Sequence, residues 1–183
     1  YMSVFRSLLR LSLSKEWKLS DCVPSEAICS AISTVNQYMA ETHGSTGMFA
    51  TAFVAAYDPR DRQLHYVVAG HEAPLVLHGT DQLELSIGGP AVGIFAGARF
   101  TAHSCAFNPS SILLAFSDGL PDARDPAGHS FGHERISSIL TEQASQEWSA
   151  QALIDRLEEA VRSHMQTAEQ FDDLTLLSLK VQN

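Results

Sequence analysis

The chain has 183 residues, 45% of them hydrophobic and 18% charged, with 11 Gly and 7 Pro. That length suits one domain burying roughly 70% of its unfolded surface, and the composition excludes a disordered tail, a collagen-like repeat and a coiled coil. Twelve Lys and Arg against 21 Asp and Glu give a formal charge of −9; with no dense basic cluster to offset it, nucleic acid is not an expected partner.

Cys22, Cys29 and Cys105 form neither a CxxC pair nor a CxH arrangement. So sparse and odd a set fits a reducing, cytoplasmic setting better than a disulfide scaffold or a zinc knuckle. The longest nearly apolar stretch, 48–57, is too short to cross a bilayer, and no signal-peptide pattern opens the chain, so no membrane partner is expected. The sequence begins at Tyr1, already within a helical pattern, which points to the C-terminal part of a longer protein.

Val4, Phe5, Leu8, Leu9 and Leu11 recur at helical spacing and predict an amphipathic helix over the first dozen residues. A polar stretch, 12–21, follows. Pro24-Ser25 opens a second helix, with Ala27, Ile28, Ala31, Ile32, Val35, Tyr38 and Met39 on one face and His43-Gly44 at its end. The period then changes. Residues 48–57 and 64–69 are β-rich runs joined by Asp58-Pro59-Arg60-Asp61, a turn built on Asp and Pro. Strand patterns continue over 75–77 and 83–87, broken at Gly79-Thr80-Asp81. Gly88, Gly89, Pro90, Gly93 and Gly97 mark a loop, readable as a flap or as a flexible connection.

Residues 100–107 alternate as a strand does. Ile112–Phe116 is continuously apolar, as expected of a strand buried on both faces, and stops at Ser117-Asp118-Gly119. Helical patterns over 134–144 and 150–164 precede Phe171-Asp172-Asp173 and a last strand over 174–181. Helix, helix, hairpin-linked strands, helix, helix, strand is an α+β order. No repeat or linker divides it, so 1–183 reads as a single domain.

No GxGxxG, GxxxxGK[ST] or GxSxG occurs, which removes sequence support for dinucleotide binding, P-loop hydrolysis and a nucleophile elbow. His129 and His133 stand at i,i+4, but Pro126, Gly128 and Gly132 make a solvated loop the better reading than a rigid ligand face. His71, in Ala69-Gly70-His71, either fixes a turn or approaches a site as a ligand or ligand support.

The carboxylates say more. Asp118 directly follows an apolar strand and precedes Gly119, which permits close backbone approach. Asp172 and Asp173 directly precede another apolar strand. If the two strands pair antiparallel, all three aspartates reach one sheet edge. There they repel one another unless a cation neutralises them, and hard Mg²⁺ or Mn²⁺ prefers such oxygen ligands. The alternative is that each Asp caps a turn. The residues alone leave both open.

Several stretches, taken together, resemble a known family. Met48-Phe49-Ala50-Thr51 and Ala69-Gly70-His71-Glu72-Ala73-Pro74 are similar to the early strands and AGHxPP turn of the SpoIIE/RsbU-type metal-dependent protein phosphatases, bacterial relatives of the type 2C serine/threonine phosphatases. Gly88-Gly89-Pro90-Ala91-Val92-Gly93 resembles GxPLG, and Leu113-Leu114-Ala115-Phe116-Ser117-Asp118-Gly119-Leu120-Pro121-Asp122-Ala123 resembles LxLYTDGLxEA. Phe131-Gly132-His133-Glu134-Arg135-Ile136 is similar to FGxERL, and Asp172-Asp173-Leu174-Thr175-Leu176-Leu177 to DDxTLL. Five motifs occur in the family's order.

The resemblance implies an α-β-β-α sandwich of two antiparallel sheets flanked by helix pairs. It implies that Asp118 and Asp172 match metal-binding aspartates, with Asp173 their neighbour and Gly119 and His71 in supporting or turn positions. It implies a binuclear Mn²⁺ or Mg²⁺ centre whose activated water hydrolyses phosphoserine or phosphothreonine, so no protein nucleophile is expected. The implied partner is a phosphorylated signalling protein, an anti-sigma antagonist of the STAS type, with sensor or response-regulator receiver domains upstream and a homodimer as a further option. The family's GGDxxD strand and GDxxGxG turn are not in this sequence, and Asp21 and Asp58 have the wrong surroundings to replace them. Weak metal binding and slow hydrolysis are the expectation, with a partner-binding pseudophosphatase as the alternative.

Overall fold

In a computed structural model of the chain, residues 1–18, 22–143 and 149–181 are described. Asp21, at the end of the expected polar stretch, and Ala144, at the end of an expected helix, lie outside them. Among the described residues the fold is α+β, with four α-helices and two antiparallel sheets. Contacts along the chain gather into two compact units, 1–71 with 86–107, and 72–85 with 108–183.

The first unit holds α1 (Met2–Glu16), α2 (Pro24–His43), β1 (Ala52–Asp58), β2 (Gln63–Ala69) and β5 (His103–Ala106), the strands in the order β1-β2-β5. Pro24 sits in the first turn of α2, where its missing N–H costs nothing. Ile28, Ile32, Val35 and Met39 form that helix's apolar stripe and pack on Ala52 and Val54 of β1 and Val67 and Ala69 of β2. Pairs Ala52↔Ala69 and Val54↔Val67 put those four on one face. Strand β1 starts four residues later than the β-rich run predicts. Met48 and Phe49 are exposed, and Ala50 makes only an isolated bridge to Val92.

The glycine-rich loop is tied down rather than free. The buried Asn36 accepts the Gly93 N–H at 2.9 Å and donates to the Phe95 carbonyl at 3.1 Å, and Gln37 accepts the Gly97 N–H at 3.1 Å.

The second unit holds β3 (Leu75–His78), β4 (Asp81–Glu84), β6 (Ile112–Phe116), α3 (His133–Gln143), α4 (Ala150–Met165) and β7 (Leu176–Lys180). Its strand order is β4-β3-β6-β7. Strand β4 begins at Asp81 rather than 83 because His78 pairs with Asp81 across a two-residue turn, with Gly79 at φ +59°. All five residues of β6 are buried, as expected for a strand covered on both faces, and it is paired on both edges, with β3 and β7. Leu114 and Phe116 face Ile136, Ile139 and Leu140 of α3 and Leu153, Leu157 and Val161 of α4. Ser149 caps α4, accepting the Ala152 N–H at 3.1 Å. Strand β7 is shorter than the predicted 174–181, and its alternating burial, with Leu177 and Leu179 exposed, marks an edge strand. No described helix is long and apolar enough to cross a membrane.

The turn into β6 carries local strain. Ser110 has φ +71°, a left-handed conformation that costs a residue with a Cβ about 1–2 kcal/mol. Replacing Ser110 with Gly should therefore stabilise the protein by about 0.5–1 kcal/mol. A rise in Tm of roughly 1–4 °C would register it; an unchanged Tm would show that the turn bears no such cost.

Candidate functional site

The candidate site is built on the ends of β6 and β7. The two strands pair antiparallel from Ile112↔Lys180 to Phe116↔Leu176, so the end of one lies beside the start of the other. The condition that the sequence left open is met: Asp118 stands two residues past the pairing on one strand, and Asp172 and Asp173 shortly before it on the other.

Three contacts close the pairing. The Ser117 N–H donates to the Thr175 carbonyl at 3.0 Å. The Ser117 hydroxyl donates to the Asp173 carbonyl at 2.9 Å and accepts the Thr175 N–H at 2.9 Å. One side chain thus satisfies a donor and an acceptor that the β ladder leaves unpaired. Gly119 is the point of closest approach, since a Cβ there would stand 2.5 Å from the Asp173 carbonyl oxygen and 2.9 Å from its carbon. Asp118 is thereby fixed between two residues that both touch the backbone of Asp173.

The turn that follows is held by its own backbone, through Leu120 N–H to the Ser117 carbonyl and Asp122 N–H to the Asp118 carbonyl, each at 3.0 Å. The Asp118 and Asp173 carboxylates accept no hydrogen bond among the described residues, so neither caps the turn it sits in. Asp172 does act as a turn acceptor, taking the Asp173 N–H at 2.7 Å on one oxygen. All three side chains are exposed to solvent.

The donor chemistry, oxygen throughout and anionic, suits a hard divalent cation. The number of donors does not complete a site. Among the described residues no group of three or more His, Cys, Asp or Glu side chains is placed to hold a metal ion. Asp118 with Asp172 or Asp173 would supply part of a coordination sphere.

Each of the other sequence-derived candidates is placed within its own unit. His71 is half-buried in the first unit, at the bend after β2, where Gly70 has φ +62° and donates its N–H to the Gly89 carbonyl at 3.0 Å. The aspartates belong to the second unit. His129 and His133 do not act together: His129 pairs with Asp125 at 3.1 Å, and His133 opens α3 and pairs with Glu72 at 3.5 Å. Amide and ring contacts from His129 hold the Asp125 carboxyl below the usual carboxylate range. Arg135 donates to Nδ1 of the buried His164, whose Nε2 lies 3.0 Å from the His129 carbonyl, so this motif serves packing between α3, α4 and the preceding loop. Sequence reasoning missed Ser117. Its only signal is a hydroxyl placed between a buried strand and an Asp-Gly pair.

Comparison with known proteins agrees with this layout. The family model of stage II sporulation protein E (SpoIIE) matches residues 1–182. Protein IcfG of Synechocystis sp. is 30% identical over 197 residues, covering 98% of this chain and 31% of IcfG, so the chain spans about a third of that curated relative. The SiaA-PP2C domain of Pseudomonas aeruginosa superposes with a TM-score of 0.77 at 18% identity, covering 97% of this chain and 69% of that one. The catalytic domain of the serine threonine protein phosphatase PstP, in complex with two manganese ions, superposes with a TM-score of 0.68 at 16% identity, covering 99% and 82%. At such identities these likenesses establish the fold.

Ser117 is the test of the closure. Ser117→Ala leaves the Asp173 carbonyl and the Thr175 N–H without their partner and should cost about 1–2 kcal/mol of stability. Ser117→Thr keeps the hydroxyl and should lie within ~0.5 kcal/mol of the wild type. Urea unfolding reads both, and equal stability of all three proteins would mean that the hydroxyl does not hold the strands.

Proposed function

Because the chain belongs to the SpoIIE family, a family of PP2C-type protein serine/threonine phosphatase domains, we propose that it hydrolyses phosphoserine or phosphothreonine on a signalling protein, with Asp118 and Asp172 as ligands for Mn²⁺ or Mg²⁺. The observation that carries this reading is the β6–β7 pairing, which gathers Asp118, Asp172 and Asp173 at one strand end with Gly119 against the Asp173 carbonyl. Carboxylates brought to one strand end repel one another, and a divalent cation would offset what solvent leaves of that repulsion.

Within this reading the roles divide simply. Asp118 presents a carboxylate that accepts no competing hydrogen bond among the described residues. Asp172 offers the oxygen that its neighbour's amide leaves unused. Ser117 and Gly119 set the spacing between them, and Asp173 adds negative charge from the adjoining position. A bound divalent ion supplies a more acidic water and an electrophilic contact for a phosphoryl oxygen. An attack by water needs no protein nucleophile. The substrate that the family resemblance favours is a phosphorylated anti-sigma antagonist of the STAS type, met in the cytoplasm.

A second reading rests on the shortage of ligands. Because no group of three or more ligand-type side chains among the described residues is placed to hold a metal ion, a pseudophosphatase that captures a partner without hydrolysing it is the alternative.

Hydrolysis of a phosphoserine protein by the full parent protein in 1 mM Mn²⁺ separates the two. Asp118→Asn, which removes a charge at nearly constant volume, should lower kcat/KM by about 100-fold, the equivalent of roughly 3 kcal/mol. Equal activity of the variant would overturn the site assignment, whereas an inert parent that still captures a partner favours the second reading. Addition of 1 mM Mn²⁺ to the 183-residue chain should raise its Tm by less than about 2 °C, since an incomplete site gives little linkage. A larger rise would mean that the chain holds a complete site.

A further inference from the structure

A phosphomonoester is dianionic near neutral pH, and three carboxylates repel it. A site assembled around Asp118, Asp172 and Asp173 stays net negative even with one divalent ion bound, so a protein cation beside it would favour the phosphate. Arg124 is the cation whose placement bears on this, since it lies over the ring of the residue joined to Asp172. It follows the 117–122 turn, and its backbone is held by a bridge to Ser130 and by the Phe131 N–H to the Ala123 carbonyl at 2.7 Å. Its guanidinium carbon lies over the ring of Phe171, 4.5 Å from the centroid. Phe171 is 64% exposed and is joined directly to Asp172.

Two features make this more than a surface contact. Cation–π pairs are ordinary in a chain of this size, but this one holds a guanidinium over the ring immediately before the acidic pair. Arg124 also forms no ion pair among the described residues. Arg135 and Arg156 of the same unit are engaged, the first with His164 and the second with Glu142 at 3.7 Å, while Arg162 likewise forms no ion pair among the described residues. A cation–π contact positions a guanidinium without using an oxygen acceptor, so its N–H donors stay available. Guanidinium N–H groups match a phosphate's oxygens in pairs.

We propose that Arg124, held by Phe171, binds the phosphate of the phosphorylated residue and so lets this acidic site prefer a phosphopeptide over its unmodified form. The inference rests on the phosphatase reading of the same site. The sequence motifs place no role on Arg124. Its position becomes visible only when the segment after β6 and the segment before β7 are seen together.

The test is a fluorescence anisotropy titration of the full parent protein in 1 mM Mn²⁺. The probe is a labelled alanine pentapeptide whose central residue is either the non-hydrolysable phosphonate analogue of phosphoserine or serine. The wild type should bind the phosphonate peptide at least tenfold more tightly than the serine peptide. Arg124→Gln should reduce that ratio about tenfold and leave the serine peptide unchanged. Arg124→Lys should recover part of it, and Phe171→Leu should reduce it about threefold by freeing the guanidinium. A ratio that survives Arg124→Gln, a parallel loss of both peptides, or no preference in the wild type would each overturn the proposal. Asp118→Asn keeps the two readings apart. If that variant loses hydrolysis while the ratio survives Arg124→Gln, only the role of Arg124 fails. If that variant hydrolyses normally, the carboxylate assignment fails whatever Arg124 does.

Discussion

The antiparallel pairing of β6 with β7, closed by the Ser117 hydroxyl, is the contact on which the rest of the candidate site depends. The two strands are far apart along the chain, and ordering the segment between them is opposed by loop entropy. What offsets it is burial. Leu114 and Phe116 on one face of β6 meet the apolar stripes of α3 and α4, both of which lie in that intervening segment. The helices that the chain inserts between its acidic residues are therefore the ones that hold those residues together. A slip of one residue in register would turn Leu114 and Phe116 to the opposite face and carry Asp118 about 3.3 Å away from Asp173, so the core also fixes the site's spacing.

The geometry at the strand ends is economical for a polar reason. An edge strand such as β7 leaves backbone groups unpaired just where the ladder stops, and water would ordinarily satisfy them. Here Ser117 and Gly119 occupy that place, the first by hydrogen bonding and the second by having no side chain. The backbone is satisfied by groups other than the carboxylates. Among the described residues the Asp118 and Asp173 carboxylates thereby accept no hydrogen bond, which suits side chains that act on something outside the chain. Their exposure lets water screen their repulsion in the absence of such a partner.

Much of the fold was legible. The stripes of α2 and α4 recur at helical spacing without interruption, and the continuous run Ile112–Phe116 announced a strand covered on both faces. Errors gathered where a residue's type and its place in the sheet disagree. Met48 and Phe49 are as apolar as a strand residue should be, yet lie before β1 in solvent. Asp81 is a poor strand former, yet opens β4 because the two-residue turn at Gly79-Thr80 dictates pairing from its first residue. Residues 88–97 looked like a loop free to move. Asn36 and Gln37, about sixty residues away in sequence, bind it through groups that no local pattern reveals.

The sequence by itself determined the α+β class, the family, the helix faces and the identity of the acidic residues, because hydrophobic period and short motifs are local properties of the chain. Only the tertiary structure decided that Asp118 lies beside Asp173, that a serine hydroxyl joins their strands, and that Arg124 lies over Phe171 next to Asp172. Each of those is a contact between segments distant along the chain, specified by strand register and core packing, and no window of sequence contains both partners.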